Sequence, residues 1–251
     1  MMDAIPSRFP RPPSFDTAYA LFLDVDGTLI DFARYPSQAR LRSEVRDTIT
    51  KLSERLDGAL ALVSGRPLGQ LDELFAPLHL PAAGLHGHQI RHPHDYRNDI
   101  PGDTSSWLHA LHRDAMTLAA THPGVLVEDK GISLALHWRN SPSAGPDITR
   151  FAESRIETMP GYRLQPGDHV IEFLPEGNDK GCALETLLQY PPFTGRKPIF
   201  VGDDLTDEFG FAAADRFGGW GVLVGNRASS AAHYALPDTR AVHAWLQANT
   251  A

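Results

Sequence analysis

The chain has 251 residues, 42% of them hydrophobic, and a net charge of −8. That length fits one large domain or two small ones, and an acidic chain without a basic run excludes a nucleic-acid backbone as partner. Cys182 is the only cysteine, which excludes an internal disulfide and points to a reducing, cytoplasmic setting, while no apolar run approaches the roughly 18 residues that span a membrane.

Residues 1–17 carry Pro6, Pro10, Pro12 and Pro13 without an apolar h-region. They read as a flexible lead-in rather than a secretory signal. Residues 18–25 form the first strand. Ala20-Leu21-Phe22-Leu23 is apolar throughout, as in a strand buried on both faces. It runs into Asp24-Val25-Asp26-Gly27-Thr28. Residues two apart in an extended chain point to the same side, so Asp24 and Asp26 are expected to share one small site. Two carboxylates that close repel unless a cation lies between them, and hard oxygen donors favour Mg2+. On its own this pattern also suits a strand followed by a polar, capping turn.

Residues 38–57 put Leu41, Val45, Ile49, Leu52 and Leu56 on one helical face, with Gly58 as the C-terminal cap. Residues 59–63 form a second buried strand ending in Ser64-Gly65-Arg66, and residues 67–75 a short helix opened by proline. Residues 80–85 are a third strand, closing at His86-Gly87. This β-α-β-α-β alternation implies a parallel sheet covered by helices. His86, His88, His92 and His94 match no zinc-finger spacing and no cysteine joins them, so they read as a solvated edge hairpin.

The pattern then changes. Residues 105–121 are an amphipathic helix. Residues 125–129 and 132–138 are strands joined tightly at Lys130-Gly131, with Leu134 and Leu136 on one face and Ser133, Ala135 and His137 on the other. A helix over 146–159 and a strand pair at 162–164 and 169–174 complete an α-β-β-α-β-β unit. The division expected is a core of 18–101 and 175–251 with a small α+β insert at 102–174. The alternation returns with a helix at 179–189, a strand at 198–201 ending in Gly202-Asp203-Asp204, and a helix at 206–214 with Thr206 as N-cap. Strands at 220–224 and 235–236 and a helix at 239–248 follow, and both parallel blocks should join in one sheet.

Ligands of open α/β sheets bind outside the carboxyl ends of the strands. There the chain offers Asp24 and Asp26, Ser64-Gly65-Arg66, Gly202-Asp203-Asp204, and Lys180 at the start of the returning helix. The set suits phosphoryl transfer, with an aspartate as nucleophile, a second as acid and base, a metal, and a lysine, a hydroxyl and N–H groups for the phosphate oxygens. Arg66 could contact phosphate or pair with a nearby carboxylate.

In their order and spacing, Asp24-Val25-Asp26-Gly27-Thr28, Ser64, Lys180 and Gly202-Asp203-Asp204 resemble the motifs of the haloacid dehalogenase superfamily. The resemblance implies an α/β fold, a Rossmann-like parallel core with an inserted C2-type cap that closes over the substrate. It implies Asp24 as nucleophile, Asp26 as general acid/base, and Mg2+ held by Asp24, the Asp26 carbonyl and Asp203. Asp204 and Asp207 would be outer or lysine-orienting groups. Gly202-Asp203-Asp204-Leu205-Thr206-Asp207-Glu208, the hairpin from Val127 to Arg139, and Val170-Ile171-Glu172-Phe173-Leu174-Pro175 are similar to the trehalose-6-phosphate phosphatase group of that superfamily. By that likeness Glu128, Lys130, Arg139 and Glu172 would bind sugar hydroxyls, and Ser64 and Lys180 the phosphate; Gly65 and Arg66, beside Ser64, are further candidates for substrate binding. A small sugar phosphate is then the ligand, with trehalose-6-phosphate synthase as pathway partner only. A different sugar phosphate, or a silent sugar-phosphate sensor, are the alternatives. The group usually reads His-Gly-x-Glu where this chain has His86-Gly87-His88-Gln89, so Gln89 can hydrogen-bond there but carries no charge.

Overall fold

The computed structural model describes residues 9–32, 38–92, 95–98 and 105–251. In chain order, β1 (Tyr19–Leu23) leads to α1 (Ser43–Arg55), β2 (Leu60–Val63), α2 (Leu68–Phe75), β3 (Ala82–Gly84), β4 (Gln89–His92) and β5 (Asp95–Asn98). Next come α3 (Ser105–Thr121), β6 (Leu126–Asp129), β7 (Leu134–His137), α4 (Gly145–Ile156), β8 (Tyr162–Gly167) and β9 (Val170–Pro175). The chain returns through α5 (Lys180–Leu188), β10 (Lys197–Gly202), α6 (Asp207–Arg216), β11 (Trp220–Val224), β12 (Tyr234–Leu236) and α7 (Thr239–Ala248).

Contacts divide the chain into two units, Met1–Asn98 with Asp179–Ala251, and Asp99–Asn178. In the first, the sheet order is β12-β11-β10-β1-β2-β3-β4-β5. Neighbours run parallel from β12 to β3, while β4 and β5 are antiparallel. Both parallel blocks of sequence therefore share one sheet, with β1 at its centre. Ala20, Leu21, Phe22 and Leu23 are all fully buried, the reason this strand shows no polar alternation.

The second unit is an antiparallel sheet in the order β6-β7-β9-β8. α3 packs on β6 and β7, and α4 on β8 and β9. Leu134, Leu136, Ile171 and Phe173 form the apolar face of its core. The other face carries Glu128, Ala135, Glu172 and Gln165, which the strand registers align in one row. β9 runs through Pro175, and the Glu176 N–H still bonds the Gly161 carbonyl at 2.9 Å, so the contact boundary falls later than residue 174.

The structure departs from expectation in five places. Residues 9–17 are docked rather than a flexible lead-in; residues 1–8 lie outside the described residues. Ala235 N–H donates to the Pro10 carbonyl, and Trp245 Nε1 to that of Pro13, each at 3.0 Å. Phe15 is buried with its ring centroid 5.2 Å from that of Trp245. Proline accepts without donating, which suits a segment lying along the edge strand β12. The first helix begins at Ser43, because Arg42 is still extended. β3 is cut to three residues by left-handed backbone at Leu85 and His86. The edge hairpin is present, but His86, His88 and His92 are buried rather than solvated, and His94 lies outside the described residues. Thr206 occupies the N-cap position of α6 without a side-chain cap bond. Among the described residues no helix is long and apolar enough to cross a membrane.

Candidate active site

β1 ends at Leu23, so strand alternation does not hold Asp24 and Asp26 to one side; each is directed by its own partner. Asp24 N–H donates to the Val201 carbonyl at 2.9 Å, seating the residue between the ends of β1 and β10. Its Oδ1 accepts from Lys180 Nζ at 2.7 Å, and the same ammonium donates to Asp207 Oδ1 at 2.6 Å. All three side chains are buried. Asp207 Oδ2 accepts from the N–H groups of Asp203 and Asp204, both at 2.9 Å. One buried carboxylate thus fixes the lysine and the β10–α6 turn together. Lys180 arrives here because Asp179 caps α5, accepting from Cys182 N–H at 2.8 Å.

Asp26 is held by Arg66, whose Nε and Nη2 bond its two carboxylate oxygens at 2.6 and 2.7 Å. Of the two roles open to Arg66, this geometry is the carboxylate pair. Ser64 is buried, and its Oγ accepts from Arg66 N–H at 3.1 Å. Pairing of Leu23 with Leu62 brings Ser64 to the strand end next to Asp24. The His86 ring lies against Gly65, where an added Cβ would come within 2.6 Å of Nε2. Gly27 has φ +83 and lies under the Asp203 carboxylate, so a side chain there would both strain the turn and overlap Asp203. Thr28 Oγ1 donates to Asp203 Oδ1 at 3.4 Å. Gln89 Oε1 accepts from Leu68 N–H at 2.9 Å, supplying the cap that Pro67 cannot give α2.

Burial pushes Asp24 up to about 7, with Asp207 and Asp26 adding to the effect against the pull of Lys180. Burial likewise pushes Asp203 up to about 9, helped by Asp24 and Asp207. Burial alone would lower Lys180, but Asp207 and Asp24 outweigh it and hold the ammonium above its ordinary value. Carboxylate oxygens of Asp24, Asp203 and Asp207 lie within 4.8 Å of one another. Asp207 is committed to Lys180 and two N–H groups, which leaves Asp24 and Asp203 as the acidic donors of this set. Burial disfavours the charge of both carboxylates, one buried and one partly exposed, and a divalent cation between them would favour it, so the pair fits such a cation.

In the second unit, Glu128, Lys130 and Glu172 come together on the polar face. Lys130 Nζ lies 3.0 Å from Glu172 Oε2, and Ser133 Oγ donates to Glu172 Oε1 at 2.6 Å. His137 Nε2 lies 2.9 Å from Glu128 Oε2. Burial alone would raise Glu128, but the His137 bond and the Lys130 charge outweigh it and hold it below its usual value. Arg139 is not part of this cluster: its Nη2 pairs with Asp168 Oδ2 at 2.9 Å. Sequence reasoning gave no role to Ser133 or His137, although their alternation with Leu134 and Leu136 already set them on the polar face.

The trehalose-phosphatase family model matches residues 22–240. The Escherichia coli trehalose-6-phosphate phosphatase is 38% identical over 242 residues, covering 94% of this chain and 88% of the relative. A probable trehalose-phosphate phosphatase of Sinorhizobium fredii is 38% identical over 208 residues, 82% of this chain and 78% of the relative. In fold, the C-terminal domain of C. albicans trehalose-6-phosphate phosphatase superposes with a TM-score of 0.80 at 20% identity, covering 97% of this chain and 98% of that one. The chain belongs to the trehalose-phosphatase family of the haloacid dehalogenase superfamily and is a phosphatase.

Proposed function

We propose that this chain hydrolyses trehalose 6-phosphate to trehalose and phosphate, with Mg2+ as cofactor and Asp24 as covalent nucleophile. The observation that carries the reading is Asp24 itself: a buried carboxylate at the end of the central strand, 2.7 Å from a buried lysine. The substrate rests on the family and on the Escherichia coli relative.

The carboxylates of Asp24 and Asp203 and the Asp26 carbonyl would hold Mg2+, all hard oxygen donors. When bound it neutralises and orients the phosphate. Asp24 attacks phosphorus and the bond to the sugar oxygen breaks, leaving an acyl phosphate on Asp24. Asp26 gives the departing oxygen its proton, then takes one from the water that cleaves the acyl phosphate. Arg66 engages both Asp26 oxygens, so proton transfer requires this pair to part. The Lys180 ammonium and the Ser64 hydroxyl hold phosphate oxygens, with the Gly65 N–H beside them; Asp204 and Asp207 orient the turn and the lysine. Glu128, Lys130 and Glu172 read sugar hydroxyls, with Arg139 in the turn that follows β7. One cysteine fits a reducing compartment, and we assign the chain to the cytoplasm.

The test is phosphate release from a panel of sugar phosphates, with Mg2+ and after chelation. Selective release from trehalose 6-phosphate, lost on chelation, is expected. Broad release would replace the substrate assignment with another sugar phosphate. Binding without release from any ester would make the chain a sensor.

A further inference from the structure

The peptide of Asp203 is gripped on both sides by side chains. Asp207 takes its N–H, as described above. On the other side Arg227 Nη2 donates to the Asp203 carbonyl oxygen. Arg227 is itself braced: its Nη1 donates to Glu208 Oε1 at 2.8 Å, and Glu208 Oε2 accepts from Ala231 N–H at 2.7 Å. Glu208 lies in the first turn of α6, while Arg227 and Ala231 belong to the loop between β11 and β12. The pair thus ties that loop to the turn that carries Asp203. Both side chains are mostly shielded, at 22% and 27% exposure, so water weakens the pair less than it would on an open surface. Arginine suits the task because its planar fork reaches a carbonyl and a carboxylate at once.

Nothing in the phosphoryl chemistry uses this pair. Its effect falls on direction. Fixing both the N–H and the C=O of one residue fixes its peptide planes, and with them the bond from Cα to Cβ that aims the carboxylate. We propose that Arg227, braced by Glu208, is a positioning residue for the divalent-cation site, setting the aim of the Asp203 carboxylate. This rests on the reading of Asp24 and Asp203 as cation donors.

Simple electrostatics and positioning predict opposite signs. Removing a positive charge near a cation site should tighten Mg2+ binding by Coulomb attraction alone. Loss of a positioning partner should weaken it, by about tenfold or more. Calorimetric titration of the full chain with Mg2+, without substrate, separates the two. Arg227→Ala should bind Mg2+ about tenfold more weakly than the unaltered protein. Arg227→Met, which keeps the aliphatic stem and so the packing, should do the same. In both, turnover should recover at saturating Mg2+ with KM unchanged. Equal or tighter Mg2+ binding by these variants overturns the proposal, and Arg227→Met decides if Arg227→Ala does not fold. No Mg2+ binding by the unaltered protein overturns the cation reading and this proposal with it.

Discussion

Asp24 stands between two opposing influences. Burial disfavours its charge, and the Lys180 ammonium at 2.7 Å restores part of it. As the proposed nucleophile it cannot be replaced by an amide. Asp24→Asn should lower kcat by about 10^4-fold or more while the circular dichroism spectrum stays that of the folded chain. The raised values of Asp24 and Asp203 also fix a pH dependence. Both start from 3.8 and stand at about 7 and about 9 in the folded chain. Each therefore binds its proton more tightly folded than unfolded. In the absence of a cation, the stability this confers is complete below the unfolded value and is lost as pH rises through the folded ones. A divalent cation competes with those protons, so its own stabilising effect should grow with pH. Thermal melts should show Mg2+ raising Tm by about 5 °C at pH 8 and by much less at pH 5.5. An equal rise at both values would mean that the cation does not displace these protons.

Short elements place these groups because each is held at its ends. α2 is capped by Gln89 from a neighbouring strand, which keeps Ser64, Gly65 and Arg66 in a fixed turn ahead of it. The docked segment before β1 acts in the same way on the far edge of the sheet. Phe15 N–H donates to Asn249 Oδ1 at 3.0 Å, and Arg55 Nη2 donates to the Phe15 carbonyl at 3.1 Å. That one residue joins the segment to α1 and to the residue following α7. Phe15→Ala should cost about 3 kcal/mol in urea unfolding, through lost burial and the cavity left behind. Its kcat and KM should stay unchanged, since no residue of the candidate site touches it among the contacts described. A mutant as stable as the unaltered chain would mean the segment only rests on the surface.

The proposed function divides the chemistry between the two units. The residues it assigns to the phosphate, Asp24, Asp203, Lys180 and Ser64, belong to the first, and the Glu128, Lys130 and Glu172 cluster to the second. Selectivity and phosphoryl transfer should therefore separate under mutation. Lys130→Ala leaves Glu172, a buried carboxylate, with Ser133 but without its ammonium. KM for trehalose 6-phosphate should rise about 10- to 100-fold, the worth of a hydrogen bond to a charged group. Hydrolysis of p-nitrophenyl phosphate, which offers no sugar hydroxyls, should change little. Equal loss on both esters would assign Lys130 to the structure of the hairpin instead.

The sequence alone determined what depends on local pattern. A fully apolar run marked β1 as a strand buried on both faces, because such a strand has no polar side. Alternation from Ile132 to Trp138 separated the two faces of β7, because side chains in a strand repeat every two residues. The order of Asp24, Ser64, Lys180 and Asp203 along the chain carried the family. Only the tertiary structure decided which partner each charge takes. Asp26 turned to Arg66, Arg139 to Asp168, and Asp207 to both Lys180 and the Asp203 N–H. Gln89 became a helix cap, and residues 9–17 a docked strap. Apart from the Asp203–Asp207 contact, such pairings join residues far apart in sequence, and no local periodicity encodes them. Those around Asp24 and Asp26 follow from the register of β1 with β10 and β2, which brings distant strand ends side by side, and that of Arg139 from the register of β7 with β9.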